Sequence, residues 1–210
     1  MLEIFYNFCF LFFFGWAVLC EKFAVGNVCY ALIGAAIPLM ISGGFHVDGY
    51  MDTMDAFHSY QSREKKLEIL KDSHIGAFAA IMLALYYMID IAAISEIHTQ
   101  KAVSAVAAVF FLARCFSGIA VMTLQPAKKE GLLYTFASSA QKVRVKAALY
   151  FQAALCVAIM LLVSGWYGAA AIGAALLSFF YFKKKSYKEL GGITGDTAGF
   201  FVTVCEAAAA

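Results

Sequence analysis

Apolar runs, all but the last 17 to 23 residues long and set between short charged stretches, decide what this chain can become. An α-helix needs about 20 residues to cross the hydrocarbon core of a bilayer. The runs cover approximately 4–20, 23–41, 76–94, 102–124, 147–163, 165–182 and 197–210. Together they consume most of the 210 residues and leave no room for a separate soluble catalytic domain. The composition agrees: 63% hydrophobic and 14% charged lie above and below the usual shares of a soluble domain. The expected architecture is all-α, a polytopic transmembrane helical bundle of six to seven spans. We read residues 1–210 as a single integral-membrane domain.

The first block, MLEIFYNFCFLFFFGW, lacks a basic leading segment and a small-residue cleavage site. It reads as a retained first span rather than a signal peptide. The blocks at 4–20 and 147–163 are short for a span, and the closing CEAAAA reads as a shortened helix. A net charge of +2 gives nucleic-acid binding no electrostatic support. The six cysteines lie in or beside apolar blocks without a CxxC pair, so they read as small core residues.

Lysine and arginine gather on the cytoplasmic side of membrane proteins. Loop 42–75 carries Arg63, Lys65, Lys66 and Lys71, and loop 125–146 carries Lys128, Lys129, Lys142, Arg144 and Lys146. Loop 183–196 adds Lys183, Lys184, Lys185 and Lys188. These hold 13 of the 16 basic residues, and alternation puts all three loops on one face. The other face has Lys22 and Lys101. The expected location is the cell (inner, cytoplasmic) membrane, multi-pass, with the active face cytoplasmic. Asp90, near the outer end of its span, reads as interfacial. No internal repeat is visible, which argues against a transporter built from two related halves.

Ten of the 30 formal charges fall in 42–75. Asp48, Asp52 and Asp55 stand at i, i+4 and i+7, a spacing that puts them on one helix face with neighbouring Cβ atoms about 5–6 Å apart. Each bare carboxylate within a bilayer would cost about 2.5–3.5 kcal/mol, and no basic residue lies between 42 and 62. A divalent cation is the simplest counter-charge, and an all-oxygen cluster suits Mg²⁺ or Mn²⁺. A solvated acidic face is the plainer alternative. Apolar Phe45, Val47, Tyr50, Met51, Met54 and Phe57 interleave the triad and argue against it. His46 and His58 flank it as ligands, phosphate partners or interfacial histidines. From Ser62 onwards the stretch reads as a short amphipathic helix with Ser62 as N-cap and Lys65 and Lys66 facing lipid.

A second signal is Gly191-Gly192-Ile193-Thr194-Gly195-Asp196, before the last block. Closely spaced glycines permit near backbone approach, and amides at a helix start can hold phosphate. Gly192 and Thr194 are thus candidate phosphate contacts, and Asp196 is either a cap or a further metal ligand. Glu206 lies loosely on the same face. Arg114, thirteenth in its 23-residue block, is too central to snorkel and should face the interior and meet an anion.

GGFHVDGYMDTMDA, SREKKLEILKDSHIGAF, the mid-block Arg114, AKKEGL and GGITGD with Glu206 resemble, in order, the cobalamin synthase family (adenosylcobinamide-GDP ribazoletransferase). The resemblance runs from about residue 30 to 206. It implies a polytopic, Mg²⁺-dependent enzyme that joins adenosylcobinamide-GDP to α-ribazole, or to its 5′-phosphate, and releases GMP. It also implies the last steps of cobalamin biosynthesis. The implied partners are the corrinoid nucleotide, α-ribazole and membrane lipid, without nucleic acid and with room for a homo-oligomer. Combined with the residues above, it assigns Asp48, Asp52, Asp55 and Asp196 to metal. Asp52, Asp55 and His46 become catalytic, and Arg63, Lys71, Arg114, Gly192 and Thr194 contact phosphate or substrate. Relative to the family pattern, the chain is expected to lack roughly the first forty residues and most of the closing helix. Ala56 and Leu133 stand where that pattern has glycine. The acidic triad also looks like that of CDP-alcohol phosphotransferases, although their DG-xx-AR opening is absent. A divalent-cation transporter is the alternative of another class.

The partition of basic residues predicts a labelling pattern in sealed cells. Cysteines introduced at Gln61 and Lys184 should react with an impermeant maleimide only after permeabilisation, whereas one at Lys101 should react from outside. External labelling at Gln61 or Lys184 would break this topology.

Overall fold

The computed structural model describes residues 2–128 and 142–210, so the readings at Lys129 and Leu133 lie outside the described residues. Nine helices follow in chain order among the described residues. They are α1 (Leu2–Lys22), α2 (Asn27–Ser42), α3 (Phe45–His58), α4 (Arg63–Ile69) and α5 (Ala77–Ser95). Then come α6 (Gln100–Thr123), α7 (Lys142–Ser164), α8 (Trp166–Leu190) and α9 (Gly195–Ala209). The described residues contain no strand, only an isolated bridge between Pro126 and Ile193. The all-α expectation holds.

Three helices are long and apolar enough to cross a membrane: α5, α6 and the stretch Val143–Ser164 within α7. α2 and α3 raise the number to four if they form one broken span. The apolar blocks become helices among the described residues. The break between α2 and α3 has a local cause. Gly43 and Gly44 both adopt positive φ, at 61° and 85°, a conformation glycine reaches without a Cβ penalty. The chain turns by 95° there, so α3 runs at right angles to α2. We read α3, with its carboxylates, as lying outside the spanning segments.

Two cores organise the packing. One joins α1, α2, α5 and α6 through Phe13, Tyr30, Ala35, Ile94, Val106 and Phe110. The other joins α3 to α6, α7, α8 and α9 through Tyr50, Phe57, Leu112, Phe182, Phe200 and Phe201. Ala56 is fully buried in the second core, where its methyl group packs as an ordinary apolar contact. Tyr50 stacks on Phe200 with ring centroids 5.9 Å apart, and Phe57 meets the same ring edge-on at 5.8 Å.

The crossing of α3 and α9 positions the site. A Cβ on Gly49 would stand 2.8 Å from the Asp196 carbonyl oxygen, and one on Gly199 would stand 3.2 Å from the His46 carbonyl oxygen. Each helix therefore uses a glycine where the other's backbone passes. The Thr203 hydroxyl donates to the His46 carbonyl across the same seam at 3.2 Å. Gly49→Ala should lower unfolding stability in detergent by about 1–3 kcal/mol, the usual cost of forcing extra volume into a packed contact. Wild-type thermal stability in this variant would show that the backbones have slack there.

Candidate active site

Asp48 and Asp52 project from successive turns of α3, and Asp196 joins them from the start of α9 across the Gly49 contact. Asp48 is exposed, while Asp52 and Asp196 are partly buried. Partial burial, and then the charges of Asp48, Asp196 and Asp55, push the Asp52 carboxyl up to about 6. The four aspartates that the sequence singled out therefore act on one another electrostatically. A group so raised gains from a nearby cation.

Asp55 departs from its expected role. Its two carboxylate oxygens accept hydrogen bonds from the Gly76 and Ala79 amides, at 2.7 and 2.8 Å. These amides sit at the start of α5, where the first N–H groups have no partner within the helix. Asp55 caps α5, and the lack of a side chain on Gly76 leaves it room. Asp55 thus anchors α5 while its charge also acts on Asp52.

All-oxygen donors suit a hard divalent cation, so the donor chemistry of Asp48, Asp52 and Asp196 fits Mg²⁺. The side chains are not gathered for it: among the described residues, no three His, Cys, Asp or Glu side chains form a metal-holding group.

The glycine-rich turn is also used differently from expectation. Gly192 is buried, and a Cβ there would meet the Gln125 carbonyl oxygen at 2.5 Å and the Ala127 nitrogen at 2.8 Å. Ile193 donates to Gln125 and accepts from Ala127, at 3.0 and 2.8 Å. The space that a phosphate would need beside Gly192 is filled by residues 125–127. Thr194 caps α9: its hydroxyl oxygen accepts from the Thr197 amide at 3.1 Å and lies 3.4 Å from an Asp196 carboxylate oxygen. Neither residue offers the free phosphate contact predicted for it.

The strapping of 125–127 onto this turn delivers a residue that the sequence reading left among the loop charges. Lys128 donates to the Leu67 carbonyl at 2.6 Å, and its charge acts on Asp196. Arg63, exposed at the start of α4, lies against Gly191, where any side chain would collide with its guanidinium. Arg63 and Lys128 thus bring positive charge to the Gly191–Asp196 turn. Lys71 stays exposed near Glu68.

Lys66 corrects another expectation. It is buried and ion-paired with Glu189 of α8, instead of facing lipid. Glu189 also pairs with Lys185 at 3.2 Å, which lies over the Phe57 ring. This network ties α4 to α8 and holds Arg63 at the turn. Lys65 is exposed and pairs with Glu68 at 2.9 Å.

Arg114 does face the interior and meet an anion, as its position demanded, but the anion is Glu206. Both side chains are buried. Arg114 also donates to the Phe110 carbonyl at 2.6 Å and lies 3.8 Å from the Cys9 sulfur. It braces α6 against α9, so the substrate contact expected of it is replaced by a structural pair. His46 lies near Arg114, and burial together with that charge pushes its imidazole down to about 4. Its Nδ1 is buried without a hydrogen-bond partner among the described residues. The structure therefore points His46 toward the bundle interior rather than toward a catalytic position among the carboxylates. His58 donates from Nδ1 to the Met54 carbonyl, 2.8 Å away, and stacks on Phe78. Asp90 is buried near Glu206, where the sequence suggested solvated surface.

The family model for cobalamin-5-phosphate synthase matches residues 9–210. A curated adenosylcobinamide-GDP ribazoletransferase from Lachnoclostridium phytofermentans is 42% identical over 182 residues, covering 87% of this chain and 69% of that protein. One from Clostridium botulinum is 32% identical over 174 residues, covering 81% and 68%. One from Escherichia coli is 29% identical over 178 residues, covering 84% and 71%. No solved structure matches the chain.

The Arg114–Glu206 pair yields a double-mutant prediction. Arg114→Met leaves a buried carboxylate without its guanidinium and should cost about 3–5 kcal/mol. Arg114→Met/Glu206→Leu should recover most of that loss in a detergent unfolding assay. A double variant as unstable as the single one would contradict a purely structural pair.

Proposed function

The chain belongs to the cobalamin-5-phosphate synthase family, and from that premise we propose that it joins adenosylcobinamide-GDP to α-ribazole, or to its 5′-phosphate, with release of GMP. The observation that carries this reading is that Asp52, Asp48 and Asp196 act on one another electrostatically across the Gly49 contact, with Lys128 acting on Asp196 and Arg63 against Gly191 of the same turn. Carboxylates next to cationic side chains suit phosphoryl transfer, in which positioning and charge neutralisation supply nearly all the catalysis.

In the proposed reaction a ribazole hydroxyl oxygen attacks the phosphorus on the cobinamide side. A new P–O bond forms, the P–O–P bridge breaks, and GMP leaves with the bond pair. The hydroxyl proton passes to a carboxylate of the cluster. Arg63 and Lys128 hold the pyrophosphate oxygens and balance the charge that gathers on the leaving group. Asp48, Asp52 and Asp196 would hold Mg²⁺, which supplies counter-charge and Lewis acidity to the transferring group. The backbone of α3 at Gly49 is in contact with the backbone of Asp196. The basic loops support a cytoplasmic active face in the inner membrane.

GMP release measured against Mg²⁺ concentration tests the assignment. Asp52→Asn should reduce turnover by at least about 100-fold, beyond the 10–100-fold typical of losing an outer-shell partner of a metal ligand. Expression and insertion should persist, and Asp52→Glu should regain some activity at raised Mg²⁺. A near-wild-type rate and Mg²⁺ dependence in Asp52→Asn would exclude a metal role for this carboxylate. CMP release from a CDP-alcohol in place of GMP release would exclude the reaction.

A further inference from the structure

The bend between α2 and α3 opens a groove of about 500 Å³ against α5. That volume falls within the roughly 300–1,000 Å³ range of small-molecule pockets. Leu39 of α2, Val47 and Met51 of α3, and Leu83 and Tyr87 of α5 line it, and Asp48 is the one charged lining residue among the described residues. We propose that this groove binds the ribazole nucleoside, with its flat bicyclic base on the apolar wall and its ribose turned toward Asp48. The proposal rests on the reaction proposed above and assigns a place to one of its two substrates.

The distribution of charge separates the two. Among the described residues, the groove lining contains a carboxylate and no lysine or arginine. A pyrophosphate entering it would meet like charge, whereas Arg63 and Lys128 offer positive charge on the Gly191–Asp196 side. The corrinoid nucleotide is also far larger than the groove. A lipid acyl chain would match Leu39 and Leu83 but would leave Asp48 desolvated beside hydrocarbon, an expensive arrangement. A nucleoside satisfies both parts of the lining, since its base is apolar and aromatic and its ribose carries hydroxyls that donate to a carboxylate. Asp48 also belongs to the carboxylate cluster, so a ribose seated there lies beside the groups that would receive its proton.

Leu83→Trp tests the proposal, because Leu83 lines the groove from α5 and lies outside the carboxylate cluster. The added ring should raise the KM for α-ribazole by about tenfold or more, in line with the 10–200-fold range for shape changes in apolar pockets. The KM for adenosylcobinamide-GDP should stay within about twofold. An α-ribazole analogue lacking the two methyl groups on its base should suffer less, because a smaller base shares the groove better with tryptophan. Equal shifts in both KM values, or none, would overturn the assignment, as would a loss of kcat alone. Equilibrium dialysis with tritiated α-ribazole separates this proposal from the reaction. If wild type binds and Leu83→Trp does not, the groove stands even without GMP release. If both bind alike, it falls whatever the activity.

Discussion

Everything at the site depends on how closely α3 and α9 cross. Gly49 and Gly199 remove the side chains that would hold the two backbones apart. Asp196 can then stand beside Asp48 and Asp52, although a long stretch of chain separates them. The stacked rings of Tyr50, Phe57 and Phe200 fill the seam beyond the glycines. A carboxylate cluster of this kind is electrostatically unfavourable alone, and apolar packing around the crossing holds it together.

The remaining charges divide into those that brace the bundle and those left for chemistry. Arg114 with Glu206, and Lys66 with Glu189, are buried pairs that join distant helices. Such pairs contribute little net stability but are costly to break singly, so they fix which helices meet. Asp55 likewise serves the start of α5. Asp48 and Arg63 are exposed, and Asp52, Asp196 and Lys128 are partly buried. Lys66 connects the two groups, because its pairing sets α4 against α8 and so places Arg63 at the Gly191 turn.

The helical bundle and the acidic face of α3 were legible in the sequence because both arise from local periodicity. Apolar runs give helices, and spacings of four and three give a shared face. Partners chosen by tertiary packing were not legible. Nothing in the spacing of Asp55 shows that the α5 amides will claim it, and nothing near Arg114 announces Glu206. Gly192 had the composition of a phosphate loop, yet residues 125–127 occupy the space beside it. Lys128 was visible only as a loop charge until the Pro126–Ile193 bridge brought it near Asp196. Among the described residues, three helices, or four if α2 and α3 form one broken span, reach the length and hydropathy of a crossing by themselves.

We propose that Asp48 and Asp52 of α3 and Asp196 of α9 share one cation-binding site. Mn²⁺ binding to the purified protein, followed by the loss of the free-ion electron paramagnetic resonance signal, tests it directly. Wild type should bind Mn²⁺ saturably and release it to excess Mg²⁺. Asp196→Asn should lose that binding although its helix lies far along the chain from α3, and Asp72→Asn, at an exposed position outside the cluster, should retain it. Unchanged Mn²⁺ affinity in Asp196→Asn would contradict the account.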